Sequence, residues 1–221
     1  MDSNTPHQPA RPAPQPAPPL PEPAGVEEEW DQRYAASEAL WSGQPNGALV
    51  SEAAALAPGR VLDVGCGEGA DALWLAARGW DVTALDVSSV ALERAARQAE
   101  MQRLQVAWVH SGLVEAQLAA ASFDLVSAQY PALLRTADHA AEQALLQAVA
   151  PGGLLLVVHH ALTSDTGHSH DLDQYVLPAD IAAALDGDWR IEAQETRPRH
   201  VASGAGAHHN EDVVLRARRL R

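Results

Sequence analysis

The run Val61-Leu62-Asp63-Val64-Gly65-Cys66-Gly67-Glu68-Gly69-Ala70-Asp71 constrains this chain more than any other stretch. An apolar β-type segment stops in a glycine-rich turn, and a helical pattern (Ala72, Leu73, Leu75, Ala76) begins at once. A strand that hands over to a helix through glycines lets a ligand approach the backbone closely, so the junction is a candidate site for a nucleotide-like cofactor.

Charge narrows the choice of cofactor. The spacing of Gly65, Gly67 and Ala70 also fits a dinucleotide fingerprint, whose helix N-terminus must face a pyrophosphate. Here that terminus carries Glu68 and Asp71, and Asp63 adds a third carboxylate at the strand end. Such a field repels a pyrophosphate and suits a cation. The next strand, over 80–85, runs into Asp86 and Val87, where a carboxylate can accept both hydroxyls of an adenosyl ribose. S-adenosyl-L-methionine has a sulfonium, an ammonium and no phosphate, and it fits these charges.

The same residues resemble the class I S-adenosylmethionine-dependent methyltransferases. Asp63, Gly65, Gly67 and Gly69 match the glycine motif, Asp86 the ribose acid, 123–126 the fourth-strand motif and 150–153 the approach to the fifth strand. The likeness spans roughly residues 27–220. Upstream, 30–34 and 41–46 resemble the opening segment of the tellurite-resistance, thiopurine and thiol methyltransferase branch. The resemblance implies an α/β fold: a Rossmann-like doubly wound sheet of seven strands, mostly parallel with the last strand antiparallel, and helices on both faces. It also implies a helical lid over the cofactor from residues 26–58. The family usually has an acid after the third strand to hold the adenine. This chain has Gly112 there, so the adenine contact falls to Ser111 or to backbone groups, with Leu113 covering the ring.

The chain has 221 residues, 47% of them hydrophobic, and one cysteine, which is enough for one sizeable core without a disulfide framework. The composition, and the lack of a secretory h-region or of a long apolar run, predict a cytoplasmic protein without a membrane partner. A net charge of −14 argues against nucleic acid, whose binding draws on clustered basic residues. All 15 basic residues are arginine, and the one cluster (Arg216, Arg218, Arg219, Arg221) reads as a solvated face or a strand edge. Nine of the 15 prolines fall within residues 1–25, a composition predicting a disordered tail ahead of a domain over 26–221.

Read in order, the periodicity predicts helices over 27–40 and 44–56, a strand over 60–64 and a helix over 68–78 ended by Gly79. Ser88 caps a helix over 89–102, strands follow at 104–109 and 122–128, and a long helix covers 132–149. The continuous apolar run 154–158 predicts a strand covered on both faces. A loop over 161–176, a short helix over 178–185 and strands over 189–197 and 212–218 complete the pattern, with no internal repeats. Trp30 and Trp41 either pack the first helix pair onto the core or contact the ligand, and an indole face attracts a sulfonium. Asp124, on a half-buried strand, is expected to hydrogen-bond to backbone.

Methyl transfer from a sulfonium demands a nucleophile held near attack distance and a site cleared of water. Trp30, Arg33, Tyr34 and Trp41 form the expected acceptor-side cover, with Arg33 as its positive group. Such a pocket suits a small, soft, anionic acceptor: a thiol, a selenium or tellurium oxyanion, or a halide. A hydroxyl or amine acceptor needs a base, and His159 and His160 reach the carboxyl edge of the sheet, although strand alternation turns only one inward. Gln129 and Tyr130, at the end of the fourth strand, are pocket candidates by the same edge rule. His168, His170 and Asp171 lack the spacing of a metal set with these histidines, so no metal is expected. Cys66 reads as a small residue in a tight turn, and His208 and His209 as solvated. A non-catalytic cofactor-binding module is the alternative class. The sequence leaves the oligomeric state open.

Overall fold

In the computed structural model, the structure describes residues 25–161, 174–201, 204, 207 and 209–221. The proline-rich segment and the histidines at 168, 170 and 208 therefore lie outside the described residues. Seven strands, β1 (Arg60–Val64), β2 (Asp81–Asp86), β3 (Ala107–His110), β4 (Phe123–Gln129), β5 (Val149–His160), β6 (Trp189–Pro198) and β7 (Glu211–Arg219), form one sheet in the order β3-β2-β1-β4-β5-β7-β6. Strands β1 to β5 pair in parallel, and β7 runs antiparallel to both β5 and β6. The expected sheet is present.

Among the described residues, six helices pack around it: α1 (Val26–Ala35), α2 (Gly47–Ala53), α3 (Ala70–Ala76), α4 (Ser89–Gln102), α5 (Ala140–Ala148) and α6 (Pro178–Ala184). Alternation along the strands sorts the core into two layers. Leu62, Val64, Val126, Leu155 and Val157 meet Leu145 of α5 and Ile181 of α6 on one face. Val61, Leu125, Leu154, Leu156 and Val158 meet Leu49 of α2 and Leu75 of α3 on the other. Burial on both faces is why these strands read as continuous apolar runs, and each fully buried leucine contributes roughly 1.5–3 kcal/mol.

Local chemistry sets several boundaries. The Ser88 hydroxyl accepts from the Ala91 N–H at 3.1 Å and starts α4 where the cap predicts. Asp124 Oδ2 accepts from Arg60 N at 2.7 Å, the backbone role expected of it.

The helix expected over 132–149 is shorter. Only 140–148 is helical, because His139 takes φ +55° and the preceding residues form an extended crossing in which Leu134 bridges to Tyr175. The arginine cluster is not on a sheet edge either. β7 lies between β5 and β6, and its side chains are paired: Arg216 with Glu52 at 2.6 Å, Arg218 with Glu192 at 2.5 Å and Arg221 with Asp188 at 2.5 Å. No helix among the described residues is long and apolar enough to cross a membrane.

Strand order reverses between β1 and β4, the place where open α/β sheets leave a crevice at their carboxyl ends.

Candidate active site

A cleft of about 500 Å³ occupies that crevice, within the range of small-molecule sites. Its floor at the β1 end is the glycine loop. Gly65 N and Cys66 N donate to Leu85 O at 2.8 and 3.0 Å, which pins the loop to the end of β2. Gly67 has φ +52°, and a Cβ there would stand 2.8 Å from the Tyr34 hydroxyl and 3.3 Å from Trp41 Nε1. Backbone conformation and overhead contact thus both require glycine.

Asp86 braces this loop. Its Oδ2 accepts from Gly67 N and its Oδ1 from Ser88 N, each at 2.8 Å. A carboxylate offers about four acceptor positions, so these two bonds do not exhaust it. Burial holds its carboxyl above the ordinary aspartate range. Asp63 is more extreme: it is 1% exposed, Oδ2 has no hydrogen-bond partner, and burial followed by repulsion from Asp71 and Asp86 pushes its carboxyl well above the usual range. The same burial keeps the Cys66 thiol protonated, so a helix start does not activate it here.

Glu68 and Asp71 do not provide the open negative field that their position suggested. Glu68 pairs with Arg94 at 2.8 Å and accepts from Leu40 N and Trp41 N at 3.2 and 3.1 Å. Asp71 accepts from Asn46 N at 2.7 Å and from Asn46 Nδ2 at 2.8 Å. Both carboxylates tie down the segment between α1 and α2. Near the glycine loop, the open acidic oxygen belongs to Asp63.

That segment and α1 form the roof. Trp30, Tyr34 and Trp41 line the cleft, with ring centroids 5.9 Å apart for Trp30 and Tyr34 and 6.4 Å apart for Trp30 and Trp41. Trp41 Nε1 donates to the Tyr34 hydroxyl at 2.9 Å. Gly204, in the β6–β7 connection, packs against the backbone of Trp41 and Ser42. Arg33 is a correction: it pairs with Glu29, stacks 4.9 Å over Trp30 and does not line the cleft.

Val87, Ser111, Gly112 and Leu113 line the end of the cleft beyond Asp86. A side chain at Gly112 would run into the Glu115 carboxylate, so the absent acid has a carboxylate neighbour three residues on.

At the other end the sheet brings together residues far apart in sequence. Gln129, Tyr130 and His160 line the cleft, and so does Arg199. The Tyr130 hydroxyl donates to Asp212 Oδ2 at 2.8 Å, and Arg199 Nε donates to the Tyr130 oxygen at 3.1 Å. His160 Nδ1 lies 3.6 Å from Asp212 Oδ1, and its ring is stacked between Tyr130 at 4.3 Å and His209 at 3.9 Å. His209 is thus not merely solvated, as its loop suggested. His159 points away from the cleft. It is 7% exposed, and burial followed by the neighbouring His160 lowers its pKa to about 4, so it stays neutral near pH 7. Asp212 and Arg199 escape sequence reading because only the β5–β7 register sets Asp212 opposite His160. Among the described residues, no group of three or more His, Cys, Asp or Glu is arranged to hold a metal.

Comparison with known proteins agrees with this architecture. Residues 61–153 match the model of a methyltransferase domain. Uncharacterized methyltransferases of Mycobacterium tuberculosis and Mycobacterium bovis are 35% identical over 134 residues, 60% of this chain and 66% of each relative, a little under two thirds of their length. A solved structure from work on the conversion of a disulfide bond into a thioacetal group during echinomycin biosynthesis is 26% identical. Its TM-score is 0.69, and the match covers 88% of this chain and 92% of that one. The N-methyltransferase NodS of Bradyrhizobium japonicum WM9, in complex with S-adenosyl-L-homocysteine, shares the fold at 18% identity and a TM-score of 0.67, over 88% of this chain and 98% of its own. The glycine loop and the braced strand-end acid both lie in the stretch that matches the methyltransferase-domain model, within the fold that NodS shares.

Proposed function

We propose that residues 26–221 act as one domain, roofed by residues 26–58, that methylates a small molecule, and that the acceptor is a soft nucleophile, foremost a sulfur group. The observation carrying this reading is the aromatic roof: Trp30, Tyr34 and Trp41 cover the glycine loop inside one cleft that continues to Tyr130 and His160. The residues fit the cofactor. Asp63 has an open buried oxygen for a cation, Asp86 keeps acceptor positions for ribose hydroxyls, and the indole faces attract positive charge. Leu113, with the backbone of Ser111 and Gly112, provides a slot for adenine.

When bound, S-adenosyl-L-methionine supplies an electrophilic methyl group. The protein's part is to orient the acceptor and keep water out, which matters most when an anionic nucleophile meets a sulfonium. The kinship with the echinomycin structure, whose described subject is chemistry at sulfur, supports a sulfur acceptor. So does the likeness of 30–34 and 41–46 to the tellurite-resistance, thiopurine and thiol methyltransferase branch, since these segments build the roof. The pairing of Arg216, Arg218 and Arg221 with acids supports a reading without nucleic acid. A lone cysteine kept as a thiol suits a cytoplasmic setting.

A second reading has its own observation. His160 lines the cleft with the Asp212 carboxylate beside Nδ1, so its imidazole can take a proton from a hydroxyl or amine acceptor. One assay separates the two: methyl transfer to thiols, selenite, tellurite, iodide, phenols and amines, with wild type, His159→Ala and His160→Ala. The first reading expects sulfur acceptors to be methylated and to survive His160→Ala. Methylation of phenols or amines alone, abolished by His160→Ala, would replace it with a base-assisted O- or N-methyltransferase.

A further inference from the structure

Arg94 lies on α4, and its side chain does not line the cleft. Its guanidinium nevertheless makes three short contacts to the roof. Nη1 donates to Glu68 Oε1 at 2.8 Å, and Nη2 donates to the carbonyls of Tyr34 at 2.8 Å and Ser37 at 2.7 Å. Tyr34 is in the last turn of α1, and its carbonyl also accepts from Ser37 N at 3.2 Å, so one side chain binds both the end of the helix and the start of the crossing segment. Through Glu68 the chain of contacts continues to Leu40 N and Trp41 N. The side chains of Arg94 and Glu68 are 19% and 15% exposed, so solvent screens this pair only partly.

We propose that Arg94 is a positioning residue that holds the aromatic roof over the glycine loop. It fixes the backbone on both sides of the roof: directly at Tyr34 and Ser37, and through Glu68 at Leu40 and Trp41. The outcome is the Tyr34 hydroxyl and Trp41 Nε1 meeting at 2.9 Å above Gly67, where a Cβ would stand 2.8 Å from the hydroxyl. A planar guanidinium can serve a carboxylate and two carbonyls at once, because its five N–H groups point in fixed directions. A lysine ammonium at the end of a flexible stem does not reproduce that fork. Asn46 on Asp71 closes the far end of the same segment, and Asp31 of α1 accepts from Ser88 Oγ, Ser89 Oγ and Val90 N at the start of α4.

This inference rests on cofactor binding in this cleft, and its test keeps the two apart. S-adenosylhomocysteine affinity is measured by calorimetry for wild type, Arg94→Ala, Arg94→Lys and the control Arg97→Ala, whose side chain faces solvent on the same helix. Amide hydrogen exchange of the ligand-free full chain is followed in parallel. Roof ordering contributes to affinity in proportion to the closed fraction, so a tenfold loss of closure weakens binding about tenfold. The expectation is such a weakening in Arg94→Ala and Arg94→Lys, with faster exchange over residues 36–46 and unchanged exchange in β1, β2 and β4. Arg97→Ala should match wild type. Affinity within about twofold of wild type in folded Arg94→Lys, or exchange that rises equally in the strands, overturns the proposal. Failure of wild type to bind S-adenosylhomocysteine counts against the cofactor site, while the exchange data still decide on the clasp.

Discussion

Asp63, Gly65 and Gly67 lie within five consecutive residues, and Asp86 follows one helix and one strand later, whereas Tyr130, His160 and Arg199 reach the other end of the cleft from two separate strand ends and a loop, with Asp212 of a third strand bonded to Tyr130. At the first end the bracing contacts are close by: Asp86 holds Gly67, and the Leu85 carbonyl holds Gly65 and Cys66. The second is held by contacts that exist only once β7 has paired with β5, such as Tyr130 to Asp212 across 82 residues. On the proposed function, cofactor binding falls to the local end and choice of acceptor to the assembled one. That division lets one loop design serve many acceptors.

The largest effect expected from breaking this division is on Asp86. Asp86→Ala removes a charged acceptor worth about 1.5–3 kcal/mol per bond and releases Gly67. S-adenosylhomocysteine affinity should fall by roughly ten- to a hundredfold, as read by calorimetry. Asp212→Asn, at the assembled end, should leave that affinity within about twofold and raise the acceptor KM instead. Equal losses of cofactor affinity in both variants would erase the distinction.

A smaller effect sharpens the contrast between the two neighbouring histidines. The pKa of His159 is lowered in the folded protein to about 4, below its unfolded value of about 6.5. The unfolded chain therefore binds the extra proton first, and stability is lost as pH falls from about 6.5 towards 4. Thermal melts of His159→Asn should lose part of that acid-side decline while cofactor affinity is unchanged. An identical pH profile in the variant would mean other groups govern acid unfolding.

No effect at all is expected at the chain start. Deleting residues 1–25 should leave the melting temperature and S-adenosylhomocysteine affinity unaltered, since their proline-rich composition has little apolar surface to bury. A drop in either would tie that segment to the domain.

Sequence reading succeeds where the decisive forces are local. The bounds of β1 and α4 follow from an apolar run buried on both faces and from the Ser88 cap. Gly65, Gly67 and Asp86 are legible because a tight turn and a strand-end acid need particular residues at particular spacings. It falls short where a side chain has two uses. Glu68 and Asp71 look like a field facing a ligand, yet Arg94 and Asn46, more than twenty residues away in each case, claim them for the roof. Arg33 looks like an acceptor-site cation, yet helical geometry gives it to Glu29.

By itself the sequence determined the strand-turn-helix loop, the apolar strands and the order of elements. These rest on backbone conformation and burial periodicity, which neighbouring residues dictate. Tertiary structure alone decided which of His159 and His160 faces the cleft, that Asp212 stands beside it, and that two of the three loop carboxylates serve the roof. Each of those outcomes is a pairing between distant segments, fixed by strand register and by which buried charge finds a partner, and neither is written in local spacing.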